Sequence, residues 1–289
     1  MHYKEVKSIL SPTNGMNLFR GCTHGCIYCD SRSKCYHIEH DFEDIEVKSN
    51  APELLEAALR KKRKKCMIGT GSMCDSYMHI EMEIGHTRKC LEIIDKYGFG
   101  LSIQTKSNRI LRDLELLKSI NRKSKCVVQM TLTTYDEGLC KIIEPTVCTT
   151  KERFEVLKTM RDNRIPTVVW LDPILPFIND TEDNLRGILD YCIEAKVYGI
   201  ICFGMGLTLR DGDREYFYTK LDEHFPGLKQ KYQKKYGYCY EIKSDNDEKL
   251  MEIFYGECKK HGIVSSNDEI FKYLNTFEDK QQPEQMSLF

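Results

Sequence analysis

The sequence predicts an α/β protein, a partial (β/α)6 barrel of the TIM type with a helical extension at its C-terminal end. Three observations carry that expectation. Six short β-rich runs recur along the first 210 residues, polar amphipathic segments with helical spacing separate them, and strands alternating with helices of about 10–15 residues imply parallel βαβ units with right-handed crossovers. Six such strands fit a partial barrel better than a complete eight-fold one.

In chain order, the β-rich runs are GMNLFR (15–20), CMIGTG (66–71), GLSIQTK (100–106), CVVQMTLTT (126–134), PTVVWLDPIL (166–175) and YGIICFGMGL (198–207). The helical segments between them include APELLEAALRKKRKK, HTRKCLEIIDKYG, NRILRDLELLKSI, TKERFEVLKTMRDN and EDNLRGILDYCIEAK. Several open near Ser, Thr, Asn or Asp and close near Gly or Asn, as helix termini require. From Arg210 the chain turns rich in Tyr and Lys (LKQKYQKKYGYCY), regains a helical pattern near 246–275 and ends in a polar tail, FEDKQQPEQMSLF. The expected organisation is therefore a barrel over 1–210, an extension packed on it over 211–276 and a flexible tail over 277–289.

The chain has 289 residues, enough for one large core, and its 43 Lys and Arg nearly cancel its 44 Asp and Glu. No bulk field draws such a protein to nucleic acid or membrane, so any such contact is local. The N-terminus lacks the apolar run of a signal peptide, and no 18-residue apolar stretch occurs, which gives an expectation of a soluble cytoplasmic protein. In that compartment the fourteen cysteines are reduced thiols. Most are isolated and read as small core hydrophobes.

Three are not isolated. In GCTHGCIYCD (21–30), Cys22, Cys26 and Cys29 fall four and then three residues apart, directly after the first strand. That is the rim where parallel barrels carry their chemistry. Three thiolates in one loop fit zinc with a fourth ligand from Cys35, His24 or His37, or a 4Fe–4S cluster with one iron left open to a small molecule.

The spacing Cys22-x3-Cys26-x2-Cys29, with Tyr28 before the last cysteine, resembles the radical S-adenosylmethionine (SAM) superfamily. Further segments resemble its spore photoproduct lyase-like, or DNA repair photolyase-like, branch: GTGSMCDSYMHIE (69–81), TKSNRILRDLELL (105–117), TLTTYDEGLCKIIEP (131–145) with KERFEVLKTM, and DPILPFIND (172–180). The likeness is collinear over roughly 15–210. Ser76 and His79 stand where the branch usually has proline, and only fourteen residues precede the first strand. Fold and cofactor therefore carry over better than the thymine-dimer substrate.

The resemblance implies that Cys22, Cys26 and Cys29 bind a 4Fe–4S cluster whose open iron chelates SAM, and that the reduced cluster cleaves SAM to a 5′-deoxyadenosyl radical. It places Tyr28 near the adenine, lets the backbone at Gly69, Thr70 and Gly71 approach the methionyl group, and gives Lys106 the cofactor carboxylate. Thr131 is either a hydroxyl donor at the mouth or an ordinary strand residue. Cys74 is either a hydrogen-atom donor to a product radical, with Tyr77 as a relay, or a plain small residue.

RKKRKK (60–65) reads as a solvated helix end, and the tyrosines of 228–240 as either base-stacking groups or cover for a barrel edge. His224 and His261 have no metal-ligand spacing. The last five residues, Gln285 to Phe289, resemble the peptide by which bacterial replication and repair proteins bind the DNA sliding clamp. The expected function is a radical SAM enzyme acting on nucleic acid in repair or modification, supplied with electrons by a reductase, flavodoxin or ferredoxin. The alternatives are a radical SAM enzyme acting on a peptide or small molecule and a non-catalytic iron–sulfur interaction protein.

Overall fold

A parallel sheet buried on both faces needs strands that are apolar on both sides, and the central runs of this chain meet that demand. In the computed structural model, which describes residues 1–280, the chain begins with β1 (His2–Lys4), β2 (Gly15–Met16), β3 (Phe19–Arg20) and β4 (Glu46–Lys48). It then alternates through α1 (Ala51–Lys61), β5 (Met67–Thr70), α2 (Glu81–Ile84), α3 (His86–Tyr97), β6 (Gly100–Thr105), α4 (Leu114–Lys123) and β7 (Cys126–Thr131). After α5 (Glu137–Ile143) and α6 (Thr150–Asp162) come β8 (Thr167–Trp170), α7 (Glu182–Ala195) and β9 (Gly199–Ile201). The remainder is β10 (Gly206–Thr208), α8 (Asp213–His224), α9 (Leu228–Tyr236), β11 (Glu241–Lys243), α10 (Asp247–His261) and α11 (Asn267–Asn275).

Strands β2, β5, β6, β7, β8 and β9 form one six-stranded parallel sheet in that order. This is the predicted partial barrel. Each run ends as a strand earlier than its apolar pattern does, because the residues beyond it turn into the rim loops. In PTVVWLDPIL, for example, the ladder stops at Trp170, before Pro173, which has no N–H to contribute. The first run divides: Gly15–Met16 joins the barrel, while Phe19–Arg20 pairs antiparallel with β4 in a small side sheet that also contains β1. NRILRD is a 3-10 turn, opened by the Ser107 hydroxyl accepting from the Arg109 N–H, and only then does α4 begin.

Alternation along the strands sorts side chains onto two faces. Ile68, Leu101, Ile103, Val128, Met130 and Val169 share one core with Leu91 and Ile94 of α3, Leu117 of α4 and Leu157 of α6. On the other, inner face, Met67, Val127, Val168 and Ile201 pack against Ile270 and Leu274 of α11. Burying each such side chain contributes about 1.5–3 kcal/mol. The C-terminal helix thus fills the lower interior of the barrel. Above it the inner face turns polar: the Trp170 indole donates to Gln129 Oε1 at 2.8 Å and the Gln129 amide donates to the Ser102 hydroxyl at 2.8 Å. In the extension, Tyr232 is fully buried against Phe177 and Phe217, whereas Tyr238 is exposed. Among the described residues no helix is long and apolar enough to cross a membrane. The Gln285–Phe289 peptide lies outside the described residues.

Candidate active site

The cysteine loop leaves β3 through Gly21, whose φ of +85° is open to glycine and where a Cβ would lie 2.3 Å from the Phe42 carbonyl oxygen. That close approach lets the Cys22 N–H donate to the same carbonyl at 3.0 Å. Further along, the Ile27 N–H donates to the Ile143 carbonyl at 3.0 Å and the Cys29 N–H to that of Cys26 at 3.3 Å. The loop is thereby wrapped over the C-terminal ends of the strands. Below it lies a cleft, partly open to solvent, with Cys22, Cys26 and Cys29 on its wall.

Also on this wall stand groups that have no hydrogen-bond partner among the described residues. The Thr131 hydroxyl is buried and unbonded. The Lys106 ammonium, also on the wall, makes no hydrogen bond or ion pair among the described residues and lies 5.9 Å from the centre of the Tyr28 ring. Burial pulls the Lys106 pKa down, but Cys26 and Glu144 outweigh it and hold it above its ordinary value. Burial pushes the Cys22 thiol well up, helped by Cys29 and Cys26, and pushes Cys26 up to about 12 despite Lys106. These thiols keep their protons until a cation is brought to them.

Two polar assemblies hold this wall in place. The Asp75 carboxylate accepts from the Thr105 hydroxyl and the Tyr77 N–H on one oxygen, at 2.7 and 2.8 Å, and from the Lys106 N–H on the other, at 2.7 Å. The same carboxylate lies 3.5 Å from Nδ1 of His24 in the cysteine loop, so it ties that loop to the ends of β5 and β6. His24 is buried and its pKa falls to about 4, chiefly from burial, with Asp75 acting in the opposite sense. In the second assembly the Tyr28 hydroxyl donates to Glu144, which forms a fully buried ion pair with Arg153. Arg153 also donates to the carbonyls of Thr131 and Cys148. Burial alone would raise the Glu144 pKa, but Arg153 and Lys106 hold it below the usual carboxylate range.

The family profile of the radical SAM superfamily matches residues 16–192, more than half of the chain. The chain belongs to the radical SAM superfamily. An uncharacterized protein of Methanocaldococcus jannaschii is 34% identical over 169 residues, 58% of this chain and 62% of that protein. One of Mycobacterium tuberculosis is 27% identical over 229 residues, 76% of this chain and 66% of its own length. The matches thus span just under two thirds of these curated relatives. Among solved structures, a spore photoproduct lyase variant superposes with a TM-score of 0.60 at 14% identity, covering 89% of this chain and 77% of that one. Another, with bound AdoMet and dinucleoside spore photoproduct, gives 0.58 at 14% identity, covering 85% and 73%. These superpositions establish a shared fold.

The cofactors of a radical SAM protein are a 4Fe–4S cluster and SAM, and the residues present fit both. A single zinc ion, with Zn–S near 2.3 Å, draws its sulfurs to about 3.8 Å of one another. The three sulfurs here are not gathered within 4.8 Å, as one ion requires and as a multi-iron cluster does not. Of the alternative fourth ligands, Cys35 is exposed and accepts from Arg210, and neither it nor His37 lines the cleft. An unpaired ammonium and an unbonded hydroxyl facing the thiols match a ligand that carries a carboxylate and further polar groups.

The structure brings Cys22, Cys26, Cys29, Tyr28, Gly71, Cys74, Lys106 and Thr131 to this one cleft. It does not bring Gly69, Thr70 or Tyr77 there. A Cβ on Gly69 meets nothing within 4 Å, whereas one on Gly71, with φ +95°, would lie 1.9 Å from the Gln104 carbonyl oxygen, so the demand for glycine falls on Gly71 and comes from β6. The Thr70 hydroxyl is engaged by Ser76. Tyr77 is fully buried with its hydroxyl on Asp113, which also receives Arg88 and Arg112. The Cys74 thiol donates to the Phe19 carbonyl, and burial raises its pKa to about 11. Sequence reasoning offered His24 only as an alternative metal ligand and missed Asp75, Glu144 and Arg153 as parts of the site. Their signal was a charged or titratable residue inside a rim segment, and only the fold shows that they meet.

Proposed function

We propose that this protein is a radical SAM enzyme acting on nucleic acid, in repair or modification. The observation that carries the reading is the convergence, on one cleft at the C-terminal end of the sheet, of three thiols with an ammonium and a hydroxyl that have no hydrogen-bond partner among the described residues. Together the cluster and SAM supply a 5′-deoxyadenosyl radical when bound. The chain's own residues then have three tasks. Cys22, Cys26 and Cys29 hold the iron. Lys106 receives the SAM carboxylate, while Thr131 and the Tyr28 side chain, fixed by Glu144, orient the rest. The buried Asp75 and the Glu144–Arg153 pair keep these groups in position.

A nucleic-acid substrate is supported by two features. The shared fold includes a spore photoproduct lyase structure with a bound dinucleoside. The polar inner face ends in Trp170 and the exposed Phe203, whose ring centres are 6.3 Å apart, an apolar and aromatic surface on which a base can stack. Cys74, on the cleft wall, is the proposed hydrogen-atom donor. A flavodoxin- or ferredoxin-type electron donor, a cytoplasmic location and clamp binding through Gln285–Phe289 belong to the same reading.

The test is anaerobic reconstitution with iron, sulfide, SAM and a strong reductant, followed by mass spectrometry of damaged and undamaged DNA and RNA oligonucleotides. One oxygen-sensitive 4Fe–4S cluster, 5′-deoxyadenosine and a mass change in an oligonucleotide are expected. Cys22→Ala, Cys26→Ala and Cys29→Ala each abolish all three. Stoichiometric zinc with no iron after reconstitution would overturn the enzyme assignment. Cleavage of SAM with every oligonucleotide unchanged would move the substrate to a peptide or small molecule.

A further inference from the structure

Away from the cleft, in the small side sheet, three metal-ligating groups converge. His2 on β1 and Glu46 on β4 are direct partners in the parallel ladder. His40, in the segment returning from the cysteine loop, brings its ring edge-on to that of His2, with centroids 4.8 Å apart and planes at 85°. One ligand atom from each of His2, His40 and Glu46 lies within 4.8 Å of the other two, and among the described residues no other trio of histidine, cysteine and carboxylate groups gathers so closely.

The second nitrogen of each imidazole decides what the first can do. Nδ1 of His40 lies 2.9 Å from the Asp41 carbonyl oxygen, which can only accept, so Nδ1 carries the proton and Nε2 is left with its lone pair. That Nε2 is buried and has no hydrogen-bond partner. Nδ1 of His2 lies 3.0 Å from Asp44 Oδ2 in the same relation, and its Nε2 faces Glu46 Oε2 at 3.9 Å, too far for a hydrogen bond. Glu46 is itself buried. Two imidazoles, each with one nitrogen lone pair, and a carboxylate are therefore gathered at one place. The Lys4 ammonium, 3.1 Å from Glu46 Oε2, offsets the carboxylate but leaves the His40 nitrogen unsatisfied. A backbone carbonyl and a carboxylate orienting the outer nitrogens are the outer-shell partners of metal-bound histidine.

We infer that His2, His40 and Glu46 form a second metal site, for a divalent ion of the zinc class, with the fourth position open to solvent. Two nitrogens and one oxygen suit tetrahedral zinc, and three protein ligands with a vacant fourth position distinguish it from a closed structural site. The ion joins the first strand to the His40–Glu46 segment. That segment contains Phe42, whose carbonyl receives the Cys22 N–H.

The experiment uses tag-free, full-length protein in which Cys22→Ser, Cys26→Ser and Cys29→Ser remove competing thiolates, alongside the cluster-loaded parent. Co²⁺ is the spectroscopic probe and Zn²⁺, in competition with a chromophoric chelator, gives the affinity. One equivalent of Co²⁺ is expected to show the visible bands of a four- or five-coordinate ion without sulfur-to-cobalt charge transfer, in both proteins. His40→Gln and Glu46→Gln weaken zinc binding more than about 100-fold, and Asp44→Asn, half-buried behind His2, weakens it about 10- to 100-fold. If either ligand variant fails to fold by circular dichroism, the Asp44→Asn result decides. Zinc binding weaker than about 100 µM, or binding unchanged in folded variants, overturns the site.

Discussion

Replacing Asp75 by Asn changes one oxygen to an amide group and keeps the shape, so its effect can be worked from the hydrogen bonds. The carboxylate accepts three: from Thr105 and Tyr77 on one oxygen and from Lys106 N–H on the other. An Asn side chain has one acceptor oxygen and a group that only donates. With the oxygen on the Thr105 side, the Lys106 N–H faces another donor and loses its partner, which costs about 1–3 kcal/mol. The two bonds that remain fall from charged to neutral acceptance, about 1 kcal/mol each. The opposite orientation orphans two donors instead of one. Asp75→Asn should therefore destabilise the protein by about 3–5 kcal/mol, read as a lower urea midpoint at unchanged slope. Because the lost bond anchors the Lys106 backbone, SAM binding to the cluster-loaded variant should weaken at least tenfold by equilibrium dialysis. Thr105→Val, which removes only one donor, serves as the control and should cost less. A loss below about 1 kcal/mol for Asp75→Asn would refute the view of this carboxylate as the post of the site.

Two further outcomes follow from buried charge. Glu144→Gln leaves Arg153 buried without its counter-charge and should cost about 3–5 kcal/mol in denaturant unfolding, with much of that regained in the double variant Glu144→Gln/Arg153→Met; no recovery would mean the two do not act as a pair. Asp172, after β8, has its pKa raised to about 7, mainly by burial, with Lys106 opposing and Asp30 adding to the rise. Between about pH 4 and pH 7 the folded state holds a proton that the unfolded state has released, so this group makes stability fall as pH rises through that window, by at most about 4 kcal/mol. Asp172→Asn should therefore gain on the parent at pH 8 and show little difference near pH 4, in urea curves under identical cluster loading; an equal difference at both pH values would refute the assignment.

The sequence by itself determined the parts whose information is local. Apolar runs such as CVVQMTLTT and GLSIQTK, set between amphipathic segments, specify buried parallel strands because both faces must be covered, and the order of the six runs is the order of the sheet. The spacing of Cys22, Cys26 and Cys29 needs no tertiary knowledge, since a single loop carries all three. Lys106 and Thr131 were legible because each sits at the end of a strand, and strand ends of a parallel barrel share one rim. What only the tertiary structure decided is which side chains face each other across that rim. Asp75 meets His24 and Lys106, and Glu144 meets Arg153 and Tyr28, through contacts between loops far apart in sequence, and no periodicity records them. The same holds for Tyr77, three residues from Cys74, whose N–H is held by Asp75 while its hydroxyl reaches Asp113. The side sheet that gathers His2, His40 and Glu46 was invisible for a related reason: strands of three charged or polar-edged residues have no pattern of their own, and exist because the chain start finds a ladder partner more than forty residues away.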